Sequence, residues 1–421
     1  MIGNQTLLKQ NIAWLFAERI LRLILTVGIT IFLARYLGAE QYGILSWAIA
    51  ITTIAMSICQ LGLEHVLIKE LTNAKDKSLL LGSASLLKLS ASLVAIISLI
   101  LWAFLSKEAH TKLVCIMAIA LLWGALNTPN ALFQSQQRSR YIFITLNAQV
   151  IFSFLLKLFG IINKAPLETF AYIYAFDGIA SVIAMILLYQ HNKENPHQLK
   201  ISLKTCRELL SLSWPLLFSG IFIAFYTRID ILLLKSHITP ALLGNYCFTV
   251  ALVEAFFFIP YAISNAFFPT ISQNDNLANK IQEQRLFDAL VLSGLIVFIL
   301  INILGPLTIT RLLGEQYAAV SLIIPIYSLR IIFGFIGWGM DRWLIANGLQ
   351  IYSLYRTGMG LLIGFSLNLL LIPYFSVYGA AFASIMCAAA SSLLIPAIFP
   401  KSRPGCVLVL KSFIRVKRKA S

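Results

Sequence analysis

The chain has 421 residues, of which 59% are hydrophobic and only 12% charged, with a mean hydropathy of +0.83. A water-facing surface needs far more polar side chains than that, so a soluble protein is excluded. The net charge of +16 comes from 33 Lys and Arg spread between apolar runs and gathered at the C-terminus, which argues against nucleic acid as a partner and for charge sorted across a membrane.

A run of about 20 apolar residues crosses a hydrocarbon core of roughly 30 Å. Runs set off by charged or Pro/Asn-rich breaks predict twelve helices, beginning near Ile12, Ile44, Gly82, Leu113, Ile142, Thr169, Leu209, Leu242, Leu286, Val320, Leu354 and Val377. The first run carries Glu18, Arg19 and Arg22, unlike the apolar stretch of a cleavable signal peptide, so the first helix is expected to stay in the mature protein. The polar stretch 190–208 divides the helices into two sets of six. The expected organisation is a lobe at 1–195, a lobe at 196–400 and a basic cytoplasmic tail at 401–421.

Sliding the halves by 201 residues lays Gly43 on Gly244 and matches helix and loop positions, though few residues are identical. An even number of helices per repeat keeps both repeats in one orientation, so the pseudo-two-fold axis is expected along the membrane normal. With both termini in the cytoplasm, the cytoplasmic segments carry nineteen Lys and Arg and the external loops six, which selects that orientation. In the tail seven basic residues alternate with Val407 to Leu410, Phe413, Ile414 and Val416, a pattern that predicts a short interfacial helix on anionic lipid.

Eight cations fall within or at the ends of apolar runs: Arg19, Arg22, Lys88, Lys157, Arg228, Arg330, Arg342 and Arg356. A central Lys or Arg costs about 2.5 to 3.5 kcal/mol on insertion scales, so each deep one needs a partner or a water-filled cavity. Arg342 and Arg356 lie near run ends and are expected to snorkel. The embedded acids are Glu18, Asp177, Asp230, Glu254 and Asp341, leaving an excess of three positive charges. Glu18 and Arg22, four apart, share a helix face, whereas Arg228 and Asp230 point to nearly opposite sides. Such an excess in a dry cavity attracts an anion, and guanidinium forks match phosphate oxygens. Arg19, Arg22, Lys88, Lys157, Arg228 and Arg330 are therefore the candidate diphosphate-binding residues. Glu18, Asp177, Asp230 and Glu254 are candidate carriers for proton or sodium coupling.

Pro215, Pro260, Pro325 and Pro373 interrupt apolar helices, as kinks fixed by packing or as hinges. No phosphate loop, GxSxG or HExxH occurs, and the five histidines lack metal-ligand spacing. No catalytic residue, metal site or other cofactor is expected. Six cysteines without a CxxC pair predict no disulfide framework.

Around the end of the first helix the chain reads Ala34-Arg35-Tyr36-Leu37-Gly38-Ala39-Glu40-Gln41-Tyr42-Gly43, followed later by Leu61-Gly62-Leu63 before Lys69-Glu70. Pro215, Arg228-Ile229-Asp230, Gly244-Asn245-Tyr246, Ile259-Pro260, Phe268-Pro269 before Ser272, and Gly314-Glu315-Gln316-Tyr317 follow in order. This series resembles the polysaccharide transporter family, the Wzx-type O-antigen flippases, from Asn11 to about Phe399. The resemblance implies an all-α integral membrane fold of the multidrug/oligosaccharidyl-lipid/polysaccharide exporter superfamily, two six-helix lobes around a central cavity. It also implies a non-enzymatic flippase that moves undecaprenyl-diphosphate-linked oligosaccharide to the outer leaflet of a bacterial inner membrane by alternating access. Expected partners are that lipid-linked oligosaccharide, anionic membrane lipids and other polysaccharide-assembly proteins. A lipid II flippase, a multidrug-type cation antiporter and, from another class, an integral membrane polysaccharide-assembly enzyme stay open as alternatives.

Overall fold

The structure is a computed structural model. It describes residues 2–74, 76–106, 108, 110–136, 138–191, 199–271 and 276–420, without the side chains of 2–20, 73, 139, 269, 276–279, 307, 308, 310 and 416–420. Every regular element among the described residues is helical. In a bilayer an open sheet edge would leave backbone groups unsatisfied, whereas a helix bonds them internally.

Eight helices among the described residues are long and apolar enough to cross a membrane, and the bent pair Glu315–Tyr327 and Arg330–Ala346 makes a ninth. Two of the eight exceed one crossing: Leu21–Thr72 runs 52 residues and Gln350–Ile398 runs 49. Gly38 (φ 70°, ψ 170°) interrupts the first, a conformation open to a residue without Cβ. Ser376 (φ 53°, ψ −131°) interrupts the second, three residues after Pro373. The apolar helix Thr111–Leu126 is shorter than a full crossing. The twelve predicted runs all fall on these helices: each of the two long ones holds two runs, broken at Gly38 and at Ser376, the bent pair holds the tenth and Thr111–Leu126 the fourth.

The residues group into two compact units, Met1–Leu37 with Ile44–Ala224, and Gly38–Gly43 with Phe225–Ser421. The polar stretch at which the sequence separates the lobes lies partly in 192–198, outside the described residues. In the first unit Leu63, Leu67 and Leu71, each four apart, line one helix face and pack with Leu132, Phe133 and Tyr189. Asp76 opens the helix Lys77–Ser106 by accepting the Leu79 N–H at 3.2 Å, and pairs with Lys200 at 3.3 Å. That backbone hydrogen bond, helped by Lys200, holds the Asp76 carboxyl below the usual carboxylate range. All six cysteines are free thiols.

In the second unit three pieces of the sequence series meet. Gly38 faces the Gln316 side chain, and Asn245 Nδ2 donates to the Gln316 carbonyl at 3.0 Å. The Tyr42 ring packs edge-on to Phe248 at 6.2 Å, and Phe248 to Tyr317 at 5.6 Å. Gly43 and Gly244 lie backbone to backbone. A Cβ at Gly244 would overlap the Ala39 carbonyl oxygen, and one at Gly43 the Pro240 carbonyl oxygen. Glycine here permits a close helix approach that any side chain would prevent. A second cluster joins Leu286, Phe287 and Leu290 to Met340, Trp343 and Leu344, with Cys406 and Val409 of the C-terminal helix Arg403–Ala420 completing it.

Forcing a methyl into that joint is overpacking, which costs about 1 to 3 kcal/mol. Gly244→Ala should lower the thermal unfolding midpoint of the detergent-solubilised protein by several degrees. Gly294→Ala, where a new Cβ meets nothing closer than 3.5 Å, should leave the midpoint unchanged.

Candidate anion site in the second unit

Three charged side chains predicted from the sequence converge in the second unit. Arg228 comes from the part of the helix Leu203–Leu234 that belongs to this unit, and Glu254 from the last turn of Pro240–Ala255. Arg330 is the first residue of Arg330–Ala346, just past a 50° bend in the bent pair. Glu254 Oε2 accepts Arg228 Nη2 at 3.0 Å, and Glu254 Oε1 lies 3.8 Å from Arg330 Nη1. One carboxylate therefore serves two guanidinium groups.

Arg330 is buried at a helix start, the positive end of the peptide dipoles and an unfavourable place for a cation. Its surroundings compensate. Nη1 donates to the Tyr327 hydroxyl at 2.5 Å, and the guanidinium carbon lies 5.5 Å from the Tyr226 ring centre and 5.6 Å from that of Tyr327. Arg228 is held less completely, since its Nε is buried and makes no hydrogen bond among the described residues. The cluster sets two guanidinium groups on one shared carboxylate and leaves one buried donor unmatched, an arrangement that suits an anion.

Asp230, two residues beyond Arg228, takes its hydrogen bonds on another side of the helix, yet lies near enough to Arg228 and Arg330 to enter their charge balance. Its Oδ2 accepts Tyr246 Oη at 2.5 Å and Ser384 Oγ at 3.1 Å, and its Oδ1 accepts the Ile231 N–H at 2.8 Å. Tyr226, Tyr327 and Ser384 were not singled out by the sequence, where they read as ordinary residues of membrane helices, and Tyr246 stood out only as part of the Gly244-Asn245-Tyr246 piece of the series. Only the i, i+3 spacing of Tyr327 and Arg330 offered a signal.

Arg356 corrects an expectation. It does not snorkel: its side chain is 6% exposed and pairs with Asp341, whose Oδ1 accepts Nε at 3.1 Å. Nη1 donates to the Ser391 carbonyl at 3.1 Å, within the π-helical turn Ala390–Leu394, and Nη2 to the Gly337 carbonyl at 3.2 Å. The helix Gln350–Ala389 packs so that Arg356 is covered from all sides, although it lies only six residues from the helix start. Arg342 lies 5.4 Å from the Phe268 ring centre.

The remaining candidates lie in the first unit. Lys88 is buried and donates to Gln60 Oε1 at 2.7 Å, while buried Lys157 lies 3.9 Å above the Tyr174 ring. Asp177 accepts Gln149 Nε2 at 3.0 Å, and Arg22 is half-buried. The side chains of Glu18 and Arg19 lie outside the described residues. No cluster of three metal-ligating side chains occurs among the described residues.

A sequence model of the family described as "Polysaccharide biosynthesis protein" matches residues 8–275, more than half of the chain. No curated protein matches the chain. Among solved structures, the lipid II flippase MurJ in an inward closed conformation is similar with a TM-score of 0.70 and 15% identity, covering 96% of this chain and 90% of that one. An inward-facing multidrug resistance MATE family transporter of the MOP superfamily gives 0.69 and 11%, covering 94% and 95%. A eukaryotic MATE transporter, AtDTX14, gives 0.63 and 13%, covering 94% and 99%. At these identities the likeness shows the fold: this chain has the fold of those transporters.

Removing one member of a buried ion pair strands the other, at a cost of roughly 3 kcal/mol or more. Arg356→Ala should therefore lower the thermal unfolding midpoint markedly, and Arg342→Ala much less. Equal midpoints for the two variants would show that the Asp341 pair carries no stability.

Proposed function

The chain belongs to the polysaccharide biosynthesis protein family, and from that premise we propose that it is a flippase for undecaprenyl-diphosphate-linked oligosaccharide. In this reading it sits in the cytoplasmic membrane of a bacterium, with both termini in the cytoplasm, and passes the repeat unit of a surface polysaccharide to the outer leaflet. The observation that carries the reading is the Arg228 and Arg330 pair on one carboxylate, with Arg228 Nε unmatched. A diphosphate offers the oxygens that such a pair lacks, and charge-assisted contacts of this kind are among the strong hydrogen bonds.

Alternating access supplies the transport step. The sugar and diphosphate pass through the protein while the polyprenyl chain stays in the lipid. Arg19, Arg22, Lys88 and Lys157 are the further candidates for contact with the diphosphate. Glu254 holds the guanidinium groups while substrate is absent, and the diphosphate competes with it for them. A carboxylate displaced in that way is free to take up a proton or sodium ion, so Glu254 is the acid through which an ion gradient couples to flipping.

Each contact between an arginine and the diphosphate contributes about 1.5 to 3 kcal/mol, so losing one weakens substrate engagement by roughly ten-fold or more. At normal protein levels, Arg228→Ala and Arg330→Ala should strongly reduce surface polysaccharide, with Arg228→Lys partly active because charge survives without the fork. Full surface polysaccharide in both alanine variants would overturn the reading. Mass spectrometry of co-purifying lipid should find a polyprenyl diphosphate glycan, and an amphiphilic cation in its place would assign drug export instead.

Orientation is tested separately. Reporter fusions after Ser421 and within 190–208 should both report the cytoplasm, as the nineteen-to-six charge bias requires. Periplasmic activity at either position would reverse the proposed topology.

A further inference from the structure

The C-terminal helix Arg403–Ala420 has two apolar faces, and the protein covers only one of them. Cys406, Val409 and Ser412 are buried against the helices that carry Leu290 and Trp343. A polar clasp fixes the helix in rotation. Gln284 Nε2 donates to the Leu408 carbonyl at 3.0 Å and to Ser412 Oγ at 2.8 Å, and Arg415 pairs with Asp288 at 3.2 Å. The Arg403 guanidinium turns back to the Ala397 and Ile398 carbonyls at 2.8 and 3.3 Å, which ties the helix start to the end of the preceding span.

Val407, Leu410 and Ile414 point away from this docked face, with relative exposures of 46%, 58% and 59%. At 100° per residue the three fall within about 60° of one another on the helix circumference, and the stripe lies roughly 140° around from the buried side. Beside the stripe Lys411 is exposed. The segment 401–421 carries seven Lys and Arg and no Asp or Glu. A face buried in protein on all sides has no use for so many cations, and a helix in open water has none for an exposed apolar stripe. Acyl chains beside negatively charged headgroups accommodate both.

We propose that the Arg403–Ala420 helix is a surface-lying docking element for an anionic lipid leaflet, with the Val407, Leu410 and Ile414 stripe at the acyl boundary and Lys411 at the headgroup phosphates. The clasp on Gln284 and Asp288 sets its depth, so the lipid surface is coupled to the span Lys280–Pro306 rather than to a loose tail. This inference does not depend on the substrate that the protein moves.

The test uses the full chain in nanodiscs with and without phosphatidylglycerol. Spin labels are placed at Leu410→Cys, Ile414→Cys and Lys411→Cys, with the native-cysteine background taken from the parent protein. Labels at 410 and 414 should be relaxed more by oxygen than by a water-soluble nickel chelate, and the label at 411 should show the reverse. In native mass spectrometry, phosphatidylglycerol retained by the protein should fall about five-fold or more in a Lys401→Gln/Lys411→Gln variant. Water-like accessibility at 410 and 414 would sink the proposal. So would unchanged lipid retention, or disulfide crosslinks between copies at Leu410→Cys that reveal a second copy of the chain as the occupant.

Discussion

The carboxylate of Glu254, shared between Arg228 and Arg330, is the constraint on which the arrangement of the second unit turns. A guanidinium kept from water needs a counter-charge, a donor-matched carbonyl or an aromatic face, and a single acid cannot satisfy two of them. The bend between Tyr327 and Arg330 answers this. It ends one helix on a tyrosine and begins the next on an arginine, so the hydroxyl and the guanidinium meet at 2.5 Å. The Tyr226 ring covers another side of the same cation. What remains unmatched is on Arg228, the less buried of the two.

Two kinds of buried arginine are distinguished by the same accounting. Arg356 has its donors spent on Asp341, on the Gly337 carbonyl and on the Ser391 carbonyl of the π-helical turn. A π-turn displaces carbonyls from the ordinary helical ladder, and in a bilayer such groups must find donors inside the protein. Arg356 supplies one, so its charge belongs to the architecture. Arg228 keeps a buried donor without an acceptor among the described residues, and in the proposed reading that donor serves the substrate.

The fold class was legible because a membrane imposes a simple rule on composition and run length, and the glycines of the Tyr36-Leu37-Gly38 and Gly43 series mark real close approaches. Arg228, Arg330 and Glu254 were legible for a related reason: a charge inside an apolar run is costly enough to stand out. Nearness in sequence to the end of a run was a poor guide for Arg356, because side-chain burial is decided by neighbouring helices that sequence periodicity does not identify. The same limit hid Tyr226, Tyr327 and Ser384. The breaks at Gly38 and Ser376 fall in polar or Pro-containing stretches that read as loops, although helix resumes at once on either side.

Asp230 and Glu254 lie in one unit and are both embedded, yet their environments separate them by role. Asp230 receives a backbone N–H and two hydroxyls, all of them neutral donors, fixed by helices whose packing they hold in register. Glu254 has no such neutral anchor among the described residues; it is about a quarter exposed and is held by the two cations that an incoming diphosphate would claim. Under the proposed flippase reading, substrate and carboxylate are alternatives for one pair of guanidinium groups. The carboxylate released by substrate must then gain a proton or a cation, or remain as an uncompensated charge in a low-dielectric site, and the last of these is the most costly. In that reading, competition for the arginines is what links an ion to the transported lipid.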